Sequence, residues 1–212
     1  KKPALAEPNH KALTLGFSYA EEHHKGRCHL QVRGQKRTDD AILMDGNTAT
    51  ALGAIYAGAT VVGWYPITPS TSVIESFARF SRTCRVDAEG RMRAAIVQAE
   101  DELAAMGMVI GAGWNGARAF TATSGPGVSL MNELLGLAYF AEIPAVLVNV
   151  QRVGPSTGMP TRTQQGDVLS CAYASHGDTK HPLLFPATPA ECFEMTARAF
   201  DLAEELQTPV LV

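Results

Sequence analysis

Much that would identify a chain at once is scarce in these 212 residues. No apolar run reaches the roughly 18 residues of a membrane-spanning helix; even 103–114 is short and rich in Gly and Ala. The expectation is a cytoplasmic protein with no membrane partner. The four cysteines, at positions 28, 84, 171 and 192, share no Cys-x-x-Cys spacing, so neither a zinc site nor an iron–sulfur cluster is readable and free thiols are expected. His23 and His24 adjoin in a polar stretch and His176 and His181 sit in a loop, none beside ligand-type neighbours, so no metal is assigned. The net charge is only −3, and the aromatic residues, 7% of the chain, are scattered rather than interleaved with basic ones. No nucleic-acid partner is expected. An initiating Met is missing as well, and the sequence stops at Val210-Leu211-Val212 in a strand-like run, which reads as an excerpt of a longer polypeptide.

What is present is an ordinary globular composition, 46% hydrophobic and 18% charged, long enough for one substantial core. Residues 1–40 carry eight Lys and Arg against five acids, and the remainder carries ten against sixteen, so the charge changes sign near Asp39. With no sustained periodicity, 1–40 reads as an extended linker from a preceding domain, and 41–212 as the folded domain, truncated at its C-terminus. Strands are expected at 61–65, 94–98, 117–123, 145–150, 183–185 and 209–212, and helices at 48–58, 69–80, 101–111, 127–140 and 189–206. Such alternation predicts an α/β fold, a parallel sheet with helices on both faces. The polar interval 151–180 is expected to be a long functional loop at the same sheet edge as Thr68 and Ser124.

Four places could carry chemistry. Thr68 stands where strand 61–65 gives way to a helix, with Pro69 suited to the first helical position; it is either a plain N-cap or a hydroxyl that meets an anion beside free N–H groups. Glu100, Asp101 and Glu102 open a helix with no further charge before Arg118, so they either complement the helix dipole or include a buried carboxylate fit for proton transfer. Arg152 follows an apolar strand and could form a surface ion pair or grip a carboxylate with two parallel hydrogen bonds. Ser124-Gly125-Pro126-Gly127 lacks the Lys of a P-loop and the three-glycine spacing of a dinucleotide fingerprint, so it reads as a tight turn of close approach rather than a nucleotide cradle.

Five segments in order resemble one family. They are Asp45-Gly46-Asn47-Thr48-Ala49, Tyr65-Pro66-Ile67-Thr68-Pro69-Ser70-Thr71, Glu100-Asp101-Glu102-Leu103-Ala104-Ala105, Thr123-Ser124-Gly125-Pro126-Gly127, and the run from Gln151-Arg152-Val153-Gly154 to Met159-Pro160-Thr161. Together they are similar to the α-type subunit of the 2-oxoacid:ferredoxin oxidoreductases, and the last segment resembles the 2-oxoglutarate branch.

The resemblance covers roughly residues 41–212 and implies a Pyr-type fold holding the pyrimidine end of thiamin diphosphate. It implies that Glu102 is the catalytic carboxylate bonded to N1′ of the aminopyrimidine. Thr68 and Arg152 would bind the substrate's 1-carboxylate, and Thr161, with the turn 154–158, would choose the 2-oxoacid. Tyr65, Ile67, Ser124 and Gly125 would shape the cofactor pocket. Asp45-Gly46-Asn47 invites comparison with a magnesium-diphosphate motif, but the second Asn such a motif needs is missing between Thr48 and Asn115, and no metal is assigned there.

The activity implied is oxidative decarboxylation of 2-oxoglutarate to its acyl-CoA, with coenzyme A as acceptor of the acyl group and ferredoxin of the electrons. Thiamin diphosphate would be shared with a β-type subunit holding Mg2+ and a [4Fe-4S] cluster, in a dimer of heterodimers that is inactive as single subunits. Pyruvate or a branched-chain 2-oxoacid is the alternative substrate. A transketolase-like thiamin enzyme would lack Tyr-Pro-Ile-Thr-Pro, and a non-catalytic interaction domain of the same fold would not need Thr68, Glu102 and Arg152 together.

Overall fold

The apolar runs separated by Gly, Pro and Asp signals become strands and helices in a computed structural model that describes residues 6–26, 30, 32–35, 37–156, 159 and 161–212. Cys28, Thr157, Gly158 and Pro160, singled out above, lie outside the described residues.

The chain forms two units, Lys1–Leu43 and Met44–Val212. The first holds α1 (Ala6–His24), a 19-residue helix with no buried residue. Its Leu13, Phe17 and Tyr19 are exposed. Residues 6–24 are therefore helical where an extended conformation was expected. Glu7 in the first turn and His23 and His24 in the last complement the helix dipole, and Ala, Leu, Lys and Glu favour the helical backbone, so local propensity makes this helix where no apolar stripe announces it.

The second unit holds α2 (Gly46–Tyr56), β1 (Val61–Trp64), α3 (Thr71–Cys84), β2 (Ala95–Gln98), α4 (Glu102–Trp114), β3 (Ala119–Thr123), α5 (Gly125–Phe140), β4 (Ala145–Asn149), α6 (Val168–Ala172), α7 (Pro189–Leu206) and β5 (Pro209–Leu211). The strands form one sheet in the order β2-β1-β3-β4-β5, every pair parallel. Residues alternate between its faces. Val62, Phe120, Ala122, Val146, Val148 and Val210 pack under α2, α3 and α7, while Ala119, Ala145, Leu147 and Leu211 pack under α4 and α5. On the first face Phe77 and Phe200 meet Phe120 edge-on, with ring centroids 5.0 and 5.9 Å apart, and this fixes α3 and α7 to the central strand.

Local chemistry sets the helix starts. Thr188 and Glu191 form a reciprocal capping box with Pro189 in the first turn of α7. Asp45 caps α2 by accepting from the Thr48 backbone N–H at 2.9 Å. The expected strand at 183–185 is reduced to one parallel bridge, Leu183 with Leu211. Pro182 and Pro186 flank it, and neither can donate to a ladder.

Candidate active site at the carboxyl edge of the sheet

From β1 the chain builds outward to β2 on one side and to β3, β4 and β5 on the other, so the topological switch lies between β1 and β3. Ligands of open parallel sheets bind outside the strand carboxyl ends at such a switch. The segments leaving β1, β3 and β4 meet there. The Ser124 hydroxyl, fully buried, donates to the main-chain oxygens of Val150 at 2.9 Å and Thr68 at 3.3 Å. Arg152 donates from Nη1 to the same Thr68 oxygen at 3.1 Å. Ser124 therefore fastens three strand exits together, and its hydroxyl is already engaged within the protein.

Thr68 is exposed and is not the N-cap expected of it. The Ile67 carbonyl accepts from Ser70 N at 2.9 Å and Thr71 N at 3.2 Å, and this turn delays the helix so that Ser70 becomes the cap residue and Pro69 stays outside. The Thr68 side chain makes no hydrogen bond among the described residues and is left at the surface. Tyr65 and Ile67 stand half-buried beside it.

The three acids before α4 take three different places. Glu100 is exposed. Asp101 is the N-cap, its Oδ1 accepting from Ala104 N at 2.7 Å. Glu102, only 7% exposed, turns inward, and its carboxylate has no hydrogen-bond or ion-pair partner among the described residues. Nearby, Thr123 Oγ1 is buried and also without a partner. Both side chains lie against the Cα of Gly127, where an added Cβ would collide with Thr123 Oγ1 and come within 3.1 Å of Glu102 Cγ. Gly125 is equally tight, since a Cβ there would strike the Arg152 carbonyl. The two glycines of the Gly125-Pro126-Gly127 turn thus let α5 start flush against β4's exit and the Glu102 carboxylate.

Arg152 is 4% exposed, too buried for the surface ion pair considered above. Nη2 donates to Ser156 Oγ at 3.4 Å, and Nε has no partner among the described residues. Its backbone bridges to Thr163, so the loop between them closes at its base. A cavity of about 430 Å³ opens beside β4 and β5, and another of about 700 Å³ is lined by Gly125, Pro126, Arg152, Ser156 and Asp167 among others. Thr161 is exposed and makes no hydrogen bond among the described residues, so the structure does not bring it to Arg152.

Two contributors escaped the sequence reading. Asn47, in the first turn of α2, donates to the Pro69 carbonyl at 3.0 Å and to Ser72 Oγ at 2.8 Å, pinning the Thr68-Pro69 turn. A lone amide opening a helix of small residues was the available signal. Asp167 accepts from Asn149 and Gln151 and precedes α6, a helix unforeseen in the interval 151–180. Burial, with the Asp167 carboxylate adding to it, pushes the neighbouring Cys171 thiol up to about 11, so it stays protonated. Among the described residues, no three His, Cys, Asp or Glu side chains gather as a metal would require. Nor is any helix long and apolar enough to cross a membrane.

Residues 52–212 match the family described as "Pyruvate flavodoxin/ferredoxin oxidoreductase, thiamine diP-bdg". The chain belongs to this family. Within it the chain is the thiamin-diphosphate-binding region of a 2-oxoacid:ferredoxin oxidoreductase α-type subunit, close to the 2-oxoglutarate branch. It is 49% identical over 169 residues to the 2-oxoglutarate synthase subunit KorA of Methanothermobacter thermautotrophicus, a match covering 80% of this chain and 43% of that one. It is 44% identical over 216 residues to the α subunit of 2-oxoacid:ferredoxin oxidoreductase 2 of Aeropyrum pernix, covering 99% of this chain and 34% of the relative. A solved 2-oxoglutarate:ferredoxin oxidoreductase from Magnetococcus marinus, with 2-oxoglutarate, coenzyme A and succinyl-CoA bound, superposes with a TM-score of 0.80 at 38% identity over 96% of this chain and 34% of that one. The chain therefore spans less than half the length of these relatives.

The family's cofactor suits what the structure offers. The carboxylate of buried Glu102 and the buried Thr123 hydroxyl, both without partners among the described residues, stand beside a glycine that leaves room at a helix N-terminus.

Proposed function

We propose that this chain supplies the aminopyrimidine side and the substrate-carboxylate side of an active site that oxidatively decarboxylates 2-oxoglutarate to its acyl-CoA, with ferredoxin as electron acceptor. The observation that carries the reading is the meeting of Thr68 and buried Arg152 at the switch-point edge that also holds inward-turned Glu102. The 2-oxoglutarate branch named for the archaeal relative supports the substrate.

Thiamin diphosphate, when bound, supplies the carbanion chemistry by which a 2-oxoacid loses carbon dioxide. Glu102 would hold the aminopyrimidine at N1′ through a hydrogen bond of its carboxyl group. Burial excludes water from that contact and strengthens it. Tyr65 and Ile67 wall the ring, and Gly125 with Gly127 keeps the α5 start clear of it. Arg152 receives the 1-carboxylate on its Nε edge, and the surface Thr68 hydroxyl adds a hydrogen bond. The loop bearing Ser156, Thr161, Arg162 and Thr163 satisfies the distal carboxylate, which cannot be buried unpaired.

Mg2+, the [4Fe-4S] cluster and the coenzyme A site are assigned to the rest of the complex, with a β-type subunit completing the site in a dimer of heterodimers. Residues 1–40 serve as the connection from a preceding domain.

A broader 2-oxoacid range is the second reading, favoured by the name of the Aeropyrum relative. The deciding experiment is anaerobic, coenzyme-A-dependent reduction of a low-potential dye by the complete complex, offered 2-oxoglutarate, pyruvate and a branched 2-oxoacid in parallel. Preference for 2-oxoglutarate supports the assignment; preference for another acid keeps the reaction and removes the loop's role; no turnover with any of them overturns both.

A further inference from the structure

The mechanism above leaves the Asp167 carboxylate without a task, although it lines the same cavity as Arg152. One of its oxygens accepts from Asn149 Nδ2 at 2.7 Å and the other from Gln151 Nε2 at 2.8 Å. Asn149 is the last residue of β4, and Gln151 immediately precedes Arg152. A single side chain therefore holds the strand exit on both sides of Val150. The Val150 carbonyl is meanwhile taken by Ser124, and the Arg152 guanidinium by the Thr68 carbonyl. Every residue from 149 to 152 is fixed, and Asp167 fixes two of the four.

The type of side chain matters as much as its place. Both partners present amide NH2 donors, and an ionised carboxylate offers two acceptors and no donor. A Leu of similar size in its place would leave both donors without an acceptor, whereas an Asn can still be met by a turned Gln151 amide. Asp167 forms no ion pair with Arg152 among the described residues, so it does not act on the guanidinium through charge contact. It acts through the backbone. The Arg152–Thr163 bridge and the bond from Gln164 N to the Gln151 carbonyl, 3.3 Å, close the loop neck just beyond it. Gly125 allows the arrangement, since a Cβ there would stand 3.2 Å from Asp167 Oδ2.

We propose that Asp167 is the positioning residue that sets Arg152 for the substrate's 1-carboxylate, by clamping Asn149 and Gln151 across the exit of β4. This deepens the assignment of Arg152 as carboxylate ligand and rests on it. A guanidinium displaced by a fraction of an ångström loses its parallel bonds while Glu102, which Asp167 does not touch, is left in place, so the loss falls on KM.

The test uses the complete complex and steady-state kinetics with 2-oxoglutarate. Asp167→Leu raises KM about tenfold and leaves kcat within about a factor of two. Asp167→Asn, whose amide a turned Gln151 side chain can meet, keeps both bonds, so its KM stays within about threefold of the wild-type value. A rise in the one and its absence in the other support the clamp. A wild-type KM in Asp167→Leu, or an Asp167→Asn no better than Asp167→Leu, overturns it. Where Asp167→Leu fails to assemble, Asp167→Asn decides, because recovered assembly and KM support the clamp and continued failure contradicts it. Arg152→Ala measured alongside separates the premises: unchanged KM there removes the carboxylate ligand itself, whereas raised KM there with unchanged KM in Asp167→Leu removes only the clamp.

Discussion

Arg152 reaches back 84 residues to donate from Nη1 to the main-chain oxygen of Thr68 at 3.1 Å. This bond ties the exit of β4 to the exit of β1, and both belong to segments rich in hydroxyl groups. It gives a partner to a guanidinium that is buried yet has no acidic partner among the described residues. The carbonyl fixes its orientation, while Nε has no hydrogen-bond partner among the described residues.

Arg152→Lys keeps the charge and removes the planar fork. The expected outcome is a fall of about ten- to a hundredfold in kcat/KM for 2-oxoglutarate, mostly through KM. Steady-state kinetics of the reconstituted complex check this, and unchanged kinetics would mean that a point charge suffices.

Gly127→Ala places a methyl group against Thr123 Oγ1 and Glu102 Cγ. Relief requires moving the start of α5 or the Glu102 side chain, so a destabilisation of about 1–3 kcal/mol is expected, together with weaker thiamin diphosphate binding. Chemical denaturation and titration calorimetry measure the two effects separately. Full affinity with lowered stability would place Gly127 in the packing alone.

His181 gives the fold a pH dependence. It is buried, with Nε2 3.1 Å from the Ala174 carbonyl and Nδ1 without a partner, and burial holds its pKa below the ordinary 6.5. The folded state then resists a proton that the unfolded chain accepts. Its contribution is present in full above the unfolded value and declines as the pH falls below about 6.5 toward the folded value. Melting temperature measured from pH 7.5 down to 5.5 should drop, and His181→Gln should flatten that slope. A slope identical in both proteins would place the titration elsewhere.

The sheet was legible because β-α alternation and apolar runs mark buried parallel strands, and five of the six expected strands match to within two residues at each end. The choice of Glu102 among three adjacent acids was not readable from composition. It follows from Asp101 taking the cap, which turns the next side chain inward. Thr68 looked like a cap because a hydroxyl before Pro is the usual signal, but the carbonyl of Ile67 captured the first-turn donors instead. Helix α1 was missed for want of a stripe, since none of its residues is buried. Asp167 was hidden for a different reason. Its partners lie 16 and 18 residues away, and no local pattern encodes a clamp made across a loop.

The most direct test is Glu102→Gln in the complete complex, followed by deuterium exchange at C2 of bound thiamin diphosphate and by turnover. The substitution preserves shape and removes the carboxyl proton. The account predicts that the cofactor still binds while exchange and turnover slow by about a hundredfold or more. Exchange and turnover at wild-type rates would contradict it.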